Sequence, residues 1–177
     1  TARVTVLKQD YRDLDGQYDK LVSIEMIEAI VHQYMGTYFD KCAQLLKADG
    51  MMLIQAITIR EQLYESALSD VDFIKKYIFP GGFLPSVGAM SEAIGKCTDM
   101  KLFHLQDIGP HYARTLRDWR DNFFSRLEEI RNLGYSEEFI RLWEYYFCYC
   151  EGGFIERDIG TVQMLLAKPQ NRRDPLI

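Results

Sequence analysis

The sequence lacks the markers of several function classes. Its four cysteines, Cys42, Cys97, Cys148 and Cys150, form no CxxC pair, and only three histidines accompany them, which leaves a zinc site without donors at ligand spacing. Basic excess is missing too: 21 Lys and Arg against 26 Asp and Glu give a net charge of −5, the wrong sign for a general nucleic-acid binder. No apolar run approaches the roughly 18 residues of a membrane-spanning helix. Among the 12 glycines no GxGxxG follows a strand, and no GxSxG occurs, which argues against a dinucleotide loop and a serine-hydrolase elbow. A charged-then-apolar leader is absent from the first residues, so secretion is not implied. What is there is an ordinary globular composition, 47% hydrophobic and 27% charged over 177 residues, enough to bury one core without disulfides or metals. A single domain over 1–177, reduced and cytoplasmic, is expected. Thr1-Ala2-Arg3 has no initiator Met and leads at once into apolar residues, so the chain reads as cut into.

Val4-Thr5-Val6-Leu7 is a β-branched run that predicts a short strand, and Asp15-Gly16 predicts a turn. Tyr18 to Ile24 reads as a second strand. From His32 to Lys47 the residues Tyr34, Met35, Tyr38, Phe39, Cys42, Leu45 and Leu46 fall at helical spacing, and Ala48-Asp49-Gly50 reads as the closing turn. Met51 to Ile59 is apolar except for Gln55, the signature of a central strand covered on both faces. Strand, strand, helix, strand suggests a parallel α/β sheet. Asp72 to Ile78 looks helical and is broken by Phe79-Pro80-Gly81-Gly82. Ser86 is a good N-cap for a helix to about Ile94. Lys101 to Ile108 reads as a strand, two helices span Tyr112–Asn132 and Ser136–Cys150 around Gly134, and Thr161 to Ala167 is a last strand.

Few residues stand out for chemistry. Gln9-Asp10-Tyr11-Arg12 follows the first predicted strand, the edge at which open α/β sheets bind ligands; a solvated turn is the plainer reading. Glu25 and Glu28 follow the second, and as a helical pair they would share a face. Glu28 lies among Met26, Ile27, Ala29 and Ile30, where a carboxylate needs a partner or a raised pKa; a helix N-terminus that gains from the dipole is the competing reading. Gln55 must have its amide satisfied, by protein or by ligand. Cys148 and Cys150 sit among Tyr145, Tyr146, Phe147 and Tyr149, where core packing is the default.

Several segments taken together resemble the cyclopropane-fatty-acyl-phospholipid synthase family, including the mycolic acid cyclopropane synthases. They are Gln9 to Asp13, Val22 to Glu28, Lys76-Tyr77-Ile78-Phe79-Pro80-Gly81-Gly82, Tyr112 to Trp119, and Tyr145 to Arg157, over a stretch from about Val4 to Lys168. The resemblance implies a Rossmann-like class I methyltransferase sheet with helices on both faces, strand order 3-2-1-4-5-7-6, and strand 7 antiparallel. It implies that a methylene group passes from S-adenosylmethionine to a cis double bond of a lipid acyl chain, and that a bound bicarbonate takes a proton as the ring closes. By the same resemblance Asp10, Tyr11 and Arg12 fall on the adenine side and Ile24 beside the cofactor's methionine arm. Glu28, Tyr112 and Gln55 fall in the bicarbonate site, Ile57 lends it backbone, and Cys150 matches a nearby cysteine. A carboxylate and a phenol can orient bicarbonate, and a preorganised polar pocket can stabilise positive charge as it develops.

Three departures qualify the resemblance. Gln55 stands where better-known members have His, and Val31 where members usually have Gly. The Gly-rich cofactor loop, the acidic strand after it and a site cysteine are absent, so this chain corresponds to the fold from its third strand onward. The chain alone is therefore expected to be inactive, poorly soluble or a homo-oligomer, with Val4–Leu7 closing on the second strand, floating at the surface, or pairing with another copy. Phe79, Phe83, Leu84, Tyr112, Leu116 and Trp119 are expected to line an acyl tunnel. The partners implied are phospholipid acyl chains at the inner face of a membrane, with no nucleic acid. The alternatives are methylation of another hydrophobic small molecule, such as a sterol or phospholipid head group, and a non-catalytic lipid-binding module.

Overall fold

Strand alternation builds one four-stranded sheet: β1 (Tyr18–Ile24), β2 (Leu46–Ile59), β3 (Lys101–Asp107) and β4 (Ile159–Ala167), in the order β1-β2-β4-β3. The structure is a computed structural model that describes residues 3–174; Thr1 and Ala2, on which the reading of the chain's start rests, lie outside the described residues. β1 runs parallel to β2, and β4 is antiparallel to both β2 and β3. This order and the antiparallel β4 match the 4-5-7-6 half of the sheet that the resemblance implies. The parallel order read from strand and helix alternation thus holds only for the first pair.

Because strand side chains alternate, β2 and β4 each show two different faces. Met52, Ile54 and Ala56 with Val162, Met164 and Leu166 pack against α1 (Met35–Gln44) and α3 (Val87–Cys97), where Tyr38, Phe39, Met90 and Ile94 complete a hydrophobic layer. The other face is covered by α4 (Gly109–Ser125) and α6 (Glu137–Ile155) through Leu116, Phe147 and Phe154, with Ile57 and Ile159 packed against them. Caps set the helix starts: Ser86 Oγ accepts from Ala89 N at 3.1 Å, and Ser136 Oγ from Phe139 N at 3.3 Å. The Tyr38 hydroxyl donates to Ser23 Oγ at 2.6 Å and ties α1 to β1.

Several expectations are corrected. Val4–Leu7 forms no strand: Val4 and Val6 are 76% and 89% exposed, and the segment is extended but unpaired. Its β-branched residues favour extension, yet a strand needs a neighbour to bond, and among the described residues β1 pairs with β2 alone. Within the chain the run lies at the surface and does not close on β1. Ala48-Asp49-Gly50 is strand rather than turn, because β2 begins at Leu46 and pairs with Tyr18 through an irregular register. The single helix expected over Tyr112–Asn132 starts earlier, at Gly109, and breaks at Arg126 before a short α5 (Leu127–Asn132). A helix the sequence reading did not foresee, α2 (Glu61–Ser69), follows β2, and Ile74–Ile78 forms one π-helical turn before Phe79.

Candidate active site

The carboxyl ends of the parallel pair β1 and β2 bring four polar side chains together. Gln55 sits on the β2 face turned toward α4, and Gln163 opposes it in the β4 register. Their amides bond, Gln163 Nε2 donating to Gln55 Oε1 at 2.8 Å, which leaves Gln55 Nε2 to donate to Glu25 Oε1 at 2.8 Å. Glu25 follows the last residue of β1 directly, and its backbone N–H donates to the Gln55 carbonyl at 2.9 Å. The Tyr112 hydroxyl, from the first turn of α4, donates to the same Glu25 Oε1 and lies 3.5 Å from Gln55 Nε2. Burial, and then the neighbouring Glu25 carboxylate, push the Tyr112 phenol above its ordinary range, so it remains a donor.

Tyr112 is placed by a close approach of helix to sheet. Gly109 N donates to Asp107 Oδ1 at 2.7 Å, and Ile108 N to the Thr161 carbonyl at 2.8 Å. A Cβ at Gly109 would stand 3.1 Å from Gly160 Cα and Thr161 N, so a larger residue would need the β4 backbone to give by a few tenths of an ångström. The Tyr112 ring rests on Phe154 of α6 with centroids 5.1 Å apart.

Glu28 approaches from a 3-10 turn, Ile27–Ala29, and accepts from Ile57 N at 2.6 Å through Oε1. Its Oε2 is buried and has no hydrogen-bond partner among the described residues. Burial raises the Glu28 pKa above its ordinary value, and Glu25 adds to the shift. The two glutamates do not share a helical face as expected. Glu25 has φ +49°, the left-handed region, which turns its side chain in toward Tyr112. Val31 also has positive φ, +62°, so a β-branched residue holds the strained turn where glycine was expected.

The remaining predicted residues are distributed unevenly. Ile57 lends its backbone N–H to Glu28, and Ile24 is the exposed last residue of β1, beside Glu25. Asp10 and Arg12 close on each other: Asp10 accepts from Arg12 N, Nε and Nη2, each at 2.9 Å. Those bonds lower the Asp10 pKa to about 2. Tyr11 packs edge-on against Tyr38 with centroids 5.7 Å apart. Cys150 is half-buried in the α4–α6 layer, and burial pushes its thiol up to about 12, which makes it packing rather than a nucleophile.

The six expected tunnel residues do not gather round one cavity. Leu116 is core, Phe79 and Trp119 are exposed, and Phe83 and Leu84 line a cleft of about 220 Å³ against α2. A larger cleft of about 530 Å³ lies between α4 and α5, and neither touches Glu25, Glu28, Gln55 or Tyr112. Sequence reasoning paired Glu25 with Glu28 but did not place it in the site, and it passed over Gln163. The signal for Gln163 was the one that flagged Gln55, a lone amide in an apolar strand.

Two carboxylates, a phenol and an amide at a sheet end, with no basic partner for either carboxylate among the described residues, form a site that can face positive charge and accept a proton. The family model described as mycolic acid cyclopropane synthetase matches residues 1–164. The chain is 43% identical over 166 residues to the tuberculostearic acid methyltransferase UfaA1 of Mycobacterium tuberculosis, covering 94% of this chain and 39% of that protein. It is 36% identical over 165 residues to the cyclopropane-fatty-acyl-phospholipid synthase of Escherichia coli K12, covering 93% and 41%. Among solved structures, the mycolic acid cyclopropane synthase CmaA1, complexed with SAH and CTAB, superposes with a TM-score of 0.82 at 29% identity, covering 92% of this chain and 59% of that one. The chain thus spans about two fifths of the length of these curated relatives. Sheet order, site geometry and these matches agree: the chain belongs to the mycolic acid cyclopropane synthetase family.

Proposed function

We propose that this chain is the carboxyl-terminal part of a methyltransferase domain that moves a one-carbon unit from S-adenosylmethionine to a cis double bond of a lipid acyl chain, closing a cyclopropane. The observation that carries this reading is the cluster of Glu25, Glu28, Gln55 and Tyr112 at the carboxyl ends of β1 and β2. Ligands of open α/β sheets bind at that edge. When bound, S-adenosylmethionine supplies an electrophilic methyl group on a cationic sulfur. The residues suit such a donor: Ile24 offers exposed apolar surface at the end of β1, and two carboxylates without basic partners face the positive charge.

The reaction leaves a cation on the acyl chain once the alkene has taken the methyl group. Glu28 is held by Ile57 N, and its unpaired Oε2 stabilises that charge across the site. Tyr112 and Gln55 fix the Glu25 carboxylate from two sides. The bicarbonate that the resemblance also implies would have to be held by those same two donors.

The substrate reading follows the relatives, whose names specify fatty-acyl and mycolic acid chemistry. No helix among the described residues is long and apolar enough to cross a membrane. We infer that acyl chains are reached from the bilayer surface, as a peripheral protein would reach them. A second reading, methyl transfer to the acyl chain without ring closure, is favoured by the 43% identity to the tuberculostearic acid methyltransferase.

The test uses the full-length protein with methyl-labelled ¹³C S-adenosylmethionine and vesicles of a monounsaturated phospholipid. Labelled high-field ring-methylene protons in the product NMR spectrum support ring closure, and labelled vinylic or branch-methyl protons support the second reading. Lipid binding without transfer, or label in the head group alone, would overturn both.

A further inference from the structure

We propose that Glu25 is the base that removes the proton, its carboxylate standing where a bound bicarbonate would otherwise stand. The proposal deepens the acyl-transfer reading and rests on it. An anion bound at this sheet end needs donors, and the side-chain donors there among the described residues are the Tyr112 hydroxyl and Gln55 Nε2. Both already serve Glu25 Oε1. What remains open is carboxylate oxygen: Glu28 Oε2 is buried and unpaired, and no donor among the described residues reaches Glu25 Oε2. Bicarbonate would enter as a third negative group, with one O–H to give and its own acceptors unmet. The described residues do not fit it.

The backbone supports a functional reason for Glu at this position. Glu25 sits at φ +49°, where glycine is at ease and a side chain costs strain. That strain is held in place by the bond from Glu25 N to the Gln55 carbonyl and by the two side-chain bonds to Oε1. A carboxylate fixed from two sides and open at its second oxygen is preorganised to accept a proton.

The step balances. The alkene's π electrons form a bond to the methyl carbon, the carbon–sulfur bond breaks, and S-adenosylhomocysteine leaves with that electron pair. The cation then loses a proton from the transferred carbon to Glu25 Oε2. The C–H electrons close the ring in the first reading; in the second, a 1,2-hydride shift first moves the cation to the carbon that bears the new methyl group, and the C–H electrons then form a branch methylene double bond. The carboxylate becomes a neutral carboxyl and returns its proton to water.

The test compares the full-length wild-type protein with Glu25→Gln and Glu25→Gly. Binding is read first, with ¹³C-bicarbonate followed by NMR line broadening, a readout that needs no turnover and stands even if the acyl-transfer reading fails. The wild type is expected not to broaden the signal. Glu25→Gly, which frees Tyr112 and Gln55, is expected to broaden it. In bicarbonate-depleted buffer the wild type should keep its full rate, and Glu25→Gln should lose about 100-fold or more, with no recovery on adding bicarbonate. Glu25→Gly should lose as much and regain at least about tenfold with bicarbonate. Its thermal midpoint should equal or exceed that of the wild type, since glycine relieves the positive φ, so lost activity is not lost folding. Bicarbonate binding by the wild type, a wild-type rate that depends on bicarbonate, or near-normal turnover of Glu25→Gln would each overturn the proposal.

Discussion

The two faces of β2 and β4 are separated by a single residue step, yet they hold opposite kinds of matter. One face carries Met52, Ile54, Met164 and Leu166 against Phe39 and Met90, with Thr58 the buried polar side chain at its end. The other carries Gln55 and Gln163, bonded to each other and onward to Glu25 and Tyr112. Apolar packing is non-directional and tolerates exchange of shape for shape, whereas the polar chain has each group facing a specific partner. The comparison teaches a division within the same strands: the α1–α3 face holds apolar core, and the α4–α6 face, where the strands end, holds the polar cluster to which the proposed chemistry is assigned.

The largest effect that could break this division is a cavity on the apolar face. Phe39→Ala should destabilise the full-length protein by about 3–5 kcal/mol while KM and kcat of the folded fraction stay near normal. Denaturant titration beside single-turnover assays separates the two. On the polar face the order reverses: Glu28→Gln should cut turnover roughly 100- to 1000-fold and leave the melting temperature within a few degrees. Equal losses of stability from both variants would erase the distinction.

Smaller effects sharpen it. Val31→Gly, at φ +62° on a turn exposed to solvent, should raise stability by about 1 kcal/mol, checked by calorimetry. The smallest effect is pH-linked. Burial raises the folded-state pKa of Glu28 above its ordinary 4.5, so between those values the folded protein binds more protons than the unfolded one. Its contribution to stability is therefore full below about 4.5 and is lost as pH rises through the folded-state pKa. Glu28→Gln should flatten that part of a melting-temperature profile against pH, and an unchanged slope would contradict the burial of this carboxylate.

The elements legible in the sequence were those with a local signal. Tyr18–Ile24 and the Ser86 cap were readable because alternation and capping are properties of a few adjacent residues. α2 escaped notice because it begins without a side-chain cap at Arg60 and buries no residue fully, so neither signal was present. Val4–Leu7 failed in the opposite way: its local β preference is real, but strand formation depends on a partner that the run itself does not contain. Glu28 and Gln55 stood out as polar groups in apolar runs, their assignment with Tyr112 to one site came from the family resemblance, and the structure brings all three to one sheet end. Glu25 could not be placed from sequence, because a left-handed glutamate is not expected from any local pattern. The tunnel grouping failed because helical spacing marks a face without saying whether core or cavity lies against it.

The most direct test of the central claim follows deuterium rather than rate. The full-length protein is given S-adenosylmethionine carrying a fully deuterated methyl group and a monounsaturated phospholipid, and the acyl products are weighed by mass spectrometry. If the polar sheet end both receives the one-carbon unit and removes its proton, the label enters the acyl chain with one deuteron lost, and Glu28→Gln forms that product roughly 100- to 1000-fold more slowly. Acyl chains that carry every deuteron of the donor, or that carry no label while the protein binds S-adenosylmethionine, would contradict the account.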